Sequence, residues 1–275
     1  MAGFRSLRER LGGAPNPDEV LPLHVPPHMR QPTMHWLEGV CDRPYASMQS
    51  GRWALLCQML KIDYTAKYPY DAIVEAVNQD NDVLLDLLDA RLKLRGMFSE
   101  QLNDLGRRLL LAGSGWRIND TSDGLEQVVD DTVRATTLAA LREGEQSASQ
   151  HLANAWSETF GRDKNRTQAH AEMIRAVESA AVPIVTPNDR KATLGTVIGQ
   201  LEAQGSLYST AGASPANDGV AAVVSMMKLL WQQQQTDRHG ANPTIPATQE
   251  RVEFLLPVAA ALVHAFSTGA VRRVR

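Results

Sequence analysis

An aspartate, an arginine and a histidine stand side by side at positions 237 to 239, in the stretch LLWQQQQTDRHGANPTIP (229–246). The imidazole of His239 changes charge near neutral pH and can take or give a proton. The guanidinium of Arg238 is permanently charged, and its planar fork matches phosphate oxygens. Together they suit phosphodiester cleavage without a metal: His239 exchanges the proton of a ribose hydroxyl, Arg238 stabilises the charge on the phosphorane, and Asp237 orients the imidazole. The same triplet also reads as a polar helix terminus. There Arg238 and His239 meet the last carbonyls and the negative end of the helix dipole, and Asp237 merely caps.

A second group of cations, Arg162, Lys164 and Arg166, lies in GRDKNR, and a third, Arg272, Arg273 and Arg275, closes the chain in VRRVR. Either group could contact RNA phosphates if it folds near His239, and each taken alone reads equally as a solvated loop or terminus. Other chemistry-bearing residues point nowhere. His24, His28 and His35 lie in a proline-rich stretch with no carboxylate or thiol at a ligand spacing, so no metal site is predicted. Ser114 in AGSGW follows a helical pattern rather than a strand and reads as a turn residue, not a nucleophile elbow. The chain has no GxGxxG or P-loop pattern.

These residues must be positioned by helices, because apolar residues recur at helical spacing almost throughout. Asp80 reads as the cap of a helix striped by Leu84, Leu87, Leu88 and Leu92, and residues 99–112 continue the habit up to Gly113. Leu125, Val128, Val129 and Thr132 also follow helical spacing, which predicts another helix there. Residues 113–124 form a break that is either a connector or a lone strand. A second break at 142–150 precedes helical patterns carrying Met173, Ile174, Val177 and Ala181, then Leu194, Val197, Ile198 and Leu201. Next come Val220, Val223, Val224, Met227, Leu230 and Trp231, and finally Val252, Leu255, Leu256, Ala259, Val263 and Phe266. Pro183 should disrupt the last turn of its helix, and Pro257 should kink the final one. The stripe holding Met226, Met227, Leu230 and Trp231 reads as core, part of which could form a homodimer seam. The expected architecture is all-α: an extended proline-rich lead-in over 1–45, an N-terminal helical domain over 46–142, and a C-terminal bundle over 143–275.

Composition agrees with a globular chain. Of 275 residues, 43% are hydrophobic and 21% charged, which excludes a disordered protein. A net charge of −3 excludes coating of nucleic acid by overall field, though not by a local patch. Two cysteines, Cys41 and Cys57, make neither a disulfide framework nor a CxxC and predict a reducing compartment. No stretch approaches the roughly 20 apolar residues of a membrane-spanning helix. The N-terminus lacks the apolar centre of a secretory signal, so a cytoplasmic protein without membrane contact is expected.

HLANAWSETFGRDKN, AVESAAVPIVTPNDRKATLGTVIGQL, LLWQQQQTDRHGANP and FSTGAV, within 143–275, resemble the C-terminal region of bacterial abortive-infection proteins, a region similar to the HEPN helical fold. GSGWRINDTSDGLEQVVDD resembles the helical part found joined to it. The resemblance implies a four- or five-helix bundle, usually dimeric. The loop between its two long helices carries an Arg followed four to six residues later by a His, a metal-independent ribonuclease pair needing no cofactor. His239 matches that His, whereas Gln232, Gln233 and Gln234 stand where the Arg belongs, leaving Arg238 as the substitute. Two functions follow as expectations. One is an antiphage effector that cleaves RNA, with the N-terminal half sensing a phage or regulatory protein trigger. The other is a non-catalytic helical interaction protein, antitoxin-like or scaffold, that keeps the bundle and lacks the active Arg.

Overall fold

The computed structural model describes residues 21–41, 51–65, 68–189, 191–211, 216–238 and 248–274, with backbone alone at 216–218 and 232–238. Helix makes up 69% of the described residues, and among them strands occur only as two short antiparallel pairs, so the all-α expectation holds at the level of class. The chain divides into two compact units, residues 1–128 and 129–275.

The N-terminal unit is built around a helix that is buried on almost every side. Helices α1 (Arg30–Val40), α2 (Arg52–Leu60), α3 (Pro69–Gln79), α4 (Val83–Lys93) and α5 (Ser99–Leu111) are followed by the hairpin strands β1 (Trp116–Ile118) and β2 (Leu125–Gln127). The predicted stripe Leu84, Leu87, Leu88 and Leu92 is fully buried on α4, as are Asp89 and Arg91. A helix apolar all round belongs in a core, and its two buried charges are spent on backbone. Asp89 Oδ1 accepts from the Leu125 amide of β2 at 2.7 Å and Oδ2 pairs with Lys93 at 2.8 Å. Arg91 donates to the Val40 carbonyl at the end of α1 through Nη2 at 3.0 Å. Cys57 is buried with them, and burial pushes its thiol up to about 11, as expected of a small hydrophobe rather than a nucleophile.

Three expectations fail in this unit. Within the lead-in, residues 21–26 form neither helix nor strand, and there the Gly115 amide donates to the Pro22 carbonyl and the Trp116 indole to the Leu23 carbonyl. From Pro27 it turns into a 3₁₀ turn and then α1, whose Trp36 and Leu37 are core residues. Prolines 26, 27 and 32 fall before or within the first turn of helix, where a missing N–H costs little. Asp80 does not cap: α4 starts at Val83, and Asp80 Oδ1 instead accepts from the Asp82 amide in the preceding turn. Residues 125–127 are strand, not helix, registered as Trp116↔Gln127 and Ile118↔Leu125 and joined by the cross-strand pair Arg117–Glu126. Their helical spacing is coincidental, since three residues show no period.

The C-terminal unit starts before the polar break at 142–150. It comprises α6 (Asp131–Glu143), α7 (Gln146–Phe160), α8 (Arg166–Val185), α9 (Leu194–Ala203), β3 (Tyr208–Thr210), α10 (Ala216–Arg238), α11 (Gln249–Ser267) and β4 (Val271–Arg273). Helix α6 packs on α11 and α7, so it belongs here and not with residues 46–142. The polar segment at 144–145 is only the turn between two antiparallel helices. Helix α8 lies centrally, against α7, α9 and α11. The predicted stripes are buried: Met173, Ile174, Val177 and Ala181 on α8, Leu194, Val197, Ile198 and Leu201 on α9, and Leu255, Leu256, Ala259, Val263 and Phe266 on α11. Pro183 and Pro257 lie within α8 and α11, which run through them. The α9–α10 contact is close: a Cβ on Gly195 would come within 2.7 Å of the Trp231 ring. Strand β3 pairs with β4 as Tyr208↔Arg273, and Tyr208 donates its hydroxyl to the Val185 carbonyl at 3.2 Å.

Candidate functional site

The end of the C-terminal unit where α10 stops and α11 begins is held by side chains that grip backbone. His170 on α8 is buried, and its Nε2 lies 3.0 Å from the Leu230 carbonyl on α10. Gln249, the first residue of α11, donates Nε2 to the Thr159 carbonyl in the last turn of α7 at 2.9 Å. These bonds join the end of α7 to the start of α11, and the first turns of α8 to α10 at Leu230.

Asp237 and Arg238 are the last two residues of α10, and Arg238 stands eight residues past Leu230, roughly 12 Å further along the helix at ~1.5 Å per residue. His239 lies outside the described residues, as do 240–247. Gln232, Gln233 and Gln234 lie within the continuous backbone of α10.

The basic loop reaches the same end. Gly161 closes α7, and any Cβ there would meet the Ser157 carbonyl oxygen at 2.4 Å. Asn165 then caps α8, its side chain accepting from the Gln168 amide at 3.0 Å. Arg162 and Lys164 are half-buried between these two points, and Arg166 is exposed. Burial pulls the Lys164 ammonium below its ordinary range, against the opposing pull of Glu253 on the first turns of α11. Lys164 thus faces α11, which leaves Arg166 as the exposed cation of the loop. Arg272 and Arg273 are exposed on β4, past the other end of α11. Nineteen residues of helix separate them from the Gln249 end, roughly 28 Å at ~1.5 Å per residue. Arg275 lies outside the described residues. The two basic segments therefore lie at opposite ends of α11.

A carboxylate–imidazole pair absent from the sequence reading lies between α7 and α8. His151 Nδ1 is 2.6 Å from Glu172 Oε2, while Glu172 Oε1 accepts from Gln168 Nε2 and Arg175 Nη1, each at 2.7 Å. The Glu172 side chain is 5% exposed and that of His151 30% exposed. Burial alone would push the Glu172 carboxyl up, yet the hydrogen bond and charge of His151 and the Arg175 guanidinium outweigh it and hold the group below the usual carboxylate range. His151 and Glu172 are 21 residues apart on different helices, so no local spacing announces them.

His24 and His28 are exposed, and His35 Nδ1 lies 3.5 Å from its neighbour Glu38. Among the described residues no group of three or more His, Cys, Asp or Glu side chains could hold a metal ion. Ser114 is buried beside the hairpin, its Oγ accepting from the Trp116 amide at 3.2 Å as in a turn. No helix of the described residues is long and apolar enough to cross a membrane.

Comparison with protein-family models, with curated proteins and with solved structures gave no match to this chain.

Proposed function

We propose that the C-terminal unit is a metal-independent endoribonuclease of HEPN type and that the whole chain is an antiphage effector of the abortive-infection kind. The observation carrying this reading is the triplet Asp237, Arg238 and His239, of which Arg238 ends α10 in the unit that also holds the cations Arg162, Lys164 and Arg166. A residue pair suited to proton transfer and phosphate binding, with cations to hold the strand, is what cleavage requires. His239 takes the proton of the ribose 2′-hydroxyl as its oxygen bonds to phosphorus, and the bond from phosphorus to the 5′-oxygen breaks, that oxygen taking up a proton. Arg238 neutralises the phosphorane and Asp237 holds the imidazole. RNA is the substrate, and a homodimer, with the two copies lining one groove, is the working form. The N-terminal unit restrains this activity until a phage or regulatory protein trigger arrives, a division of labour that rests on the resemblance alone. In EDTA the full chain should convert RNA to fragments ending in 2′,3′-cyclic phosphate and 5′-hydroxyl. Fragments with 5′-phosphate, or cleavage abolished by EDTA, contradict the mechanism.

A non-catalytic interaction protein is the second reading, favoured by Gln232–Gln234, three neutral residues at the place of the family's Arg. It predicts RNA binding or partner binding with no new RNA ends under any condition, trigger included.

A further inference from the structure

The His151–Glu172 pair between α7 and α8 has no part in RNA cleavage by residues 237–239. Glu172 is buried and accepts from three donors, so it offers the ring an acceptor and His151 Nδ1 carries the hydrogen. In the neutral ring the lone pair is thereby fixed on Nε2. That atom has no partner among the described residues and is not one of the buried unpaired atoms, and the side chain is 30% exposed, so Nε2 is open to solvent. One turn away, Ser147 Oγ and Ser179 Oγ lie 3.2 Å apart. The contacts 151–172 and 147–179 run in opposite senses along α7 and α8, so the helices are antiparallel. Four residues from each serine then bring His151 level with Arg175. Arg175 donates Nη1 to Glu172 at 2.7 Å; its other N–H groups have no partner among the described residues, and its side chain is 52% exposed. Imidazole and guanidinium thus hold the two oxygens of one carboxylate, each with donor or acceptor capacity left over.

These parts suit one reaction. A lone pair held open to solvent is a nucleophile that a second molecule can reach without entering a cavity. Attack on phosphorus makes the ring cationic, and the Glu172 carboxylate faces that charge across Nδ1–H. The group added is strongly anionic near neutral pH, and a guanidinium fork matches its oxygens. We infer that His151 is a phosphoryl acceptor, taking the group onto Nε2 from a donor with a labile bond to phosphorus, as in an acyl phosphate or a phosphoramidate. The Nε2 lone pair forms the N–P bond, the bond from phosphorus to the leaving group breaks, and the leaving group keeps that electron pair. Glu172 positions the ring, and Arg175 holds the phosphoryl oxygens. Nothing in this inference depends on RNA cleavage.

The test treats the full chain with phosphoramidate and locates the product by mass spectrometry and by the phosphorus resonance of phosphohistidine. His151 should be modified at least about tenfold faster than His24 and His28, which are exposed and bond no carboxylate among the described residues. His151→Gln should remove the fast phase. Glu172→Gln keeps an acceptor for Nδ1–H but loses the charge, and should slow the reaction about tenfold. Arg175→Gln changes a surface side chain and should stay folded; its rate should fall several-fold, and Arg175→Lys, which keeps the cation, should restore most of it. A pair that only ties α7 to α8 predicts none of these differences. Modification of His151 no faster than of His24 and His28, or an undiminished rate in either Glu172→Gln or Arg175→Gln, overturns the assignment.

Discussion

At the scale of single residues, the C-terminal unit concentrates its polar chemistry at positions that also hold helices together. Glu172 is the clearest case. Its three donors come from α7 and α8, so removing the carboxylate leaves His151, Gln168 and Arg175 without their common acceptor at a buried place. Glu172→Ala should cost roughly 2 kcal/mol, the scale of a buried charge-assisted network of which one member is half exposed, and a denaturant titration reads it. The folded-state carboxyl titrates below its ordinary value of 4.5. The stabilisation it gives is therefore complete above about that pH and fades as pH falls through the folded-state value. Glu172→Gln should accordingly flatten the acid limb of the stability profile. An unchanged acid limb would mean that other carboxylates govern it. For the basic loop, replacing Arg162, Lys164 and Arg166 by Ala together should weaken RNA binding and lower the slope of log K against log salt by about 2. The loss should come mainly from the arginines, since Lys164 is partly buried against α11.

At the scale of elements, two contacts decide how the helices are spaced. Gly195 lets α9 approach α10 until its α-carbon meets the Trp231 ring, and an added methyl must push that ring or the helix aside. Gly195→Ala should destabilise by about 1–3 kcal/mol, as overpacking does, although alanine is the better helix former; a gain in stability would show that α9 can simply move. Asn165 starts α8 at the edge of the basic loop, and Asn165→Ala should cost about 1 kcal/mol as a lost cap, read in the thermal midpoint. Long helices with one buried stripe were legible in the sequence for a physical reason: burial of one face imposes a 3.6-residue period that seven or more residues make visible. Leu194 to Leu201 and Leu255 to Phe266 are such runs. The hairpin was legible only as the lone strand that 113–124 offered as one alternative, which β1 fills; β2 was missed, because a strand of three residues leaves no alternation to see and Leu125, Val128 and Val129 fall by accident at helical spacing. The start of α1 was misread because proline frequency hides a helix whose prolines all lie in or before its first turn.

At the scale of the whole molecule, the division at 128/129 matters more than the polar composition at 142–150 suggested. A polar stretch marks any solvent-exposed turn, and Gly144 with Glu145 is only the turn between α6 and α7. What sets the boundary is that Ala140 of α6 is buried in the core of the C-terminal unit. A fragment of residues 129–275 should fold cooperatively, with a single thermal transition. A fragment starting at 143 loses α6, uncovers apolar surface of α11, and should aggregate or melt well below it. Equal stability of the two would place α6 outside the core. The candidate site was legible only in part. Charge marked 162–166 and residue type marked 237–239, but the tertiary contacts that set Lys164 against Glu253 at one end of α11, and Arg272 and Arg273 past the other, have no signature in the order of residues. The pair His151–Glu172 went unseen for the same reason.

The most direct measurement of the central claim is the rate of RNA cleavage in EDTA by the full chain, with its trigger supplied by coexpressed phage if the purified protein is inactive, beside His239→Ala and Arg238→Ala. The account predicts 2′,3′-cyclic phosphate ends from the parent, a loss of at least a hundredfold in the His239→Ala variant, on the scale of a proton-transfer residue, and a smaller but clear loss in Arg238→Ala. Cleavage by His239→Ala at the parent's rate, or an absence of new RNA ends even after triggering, would contradict it.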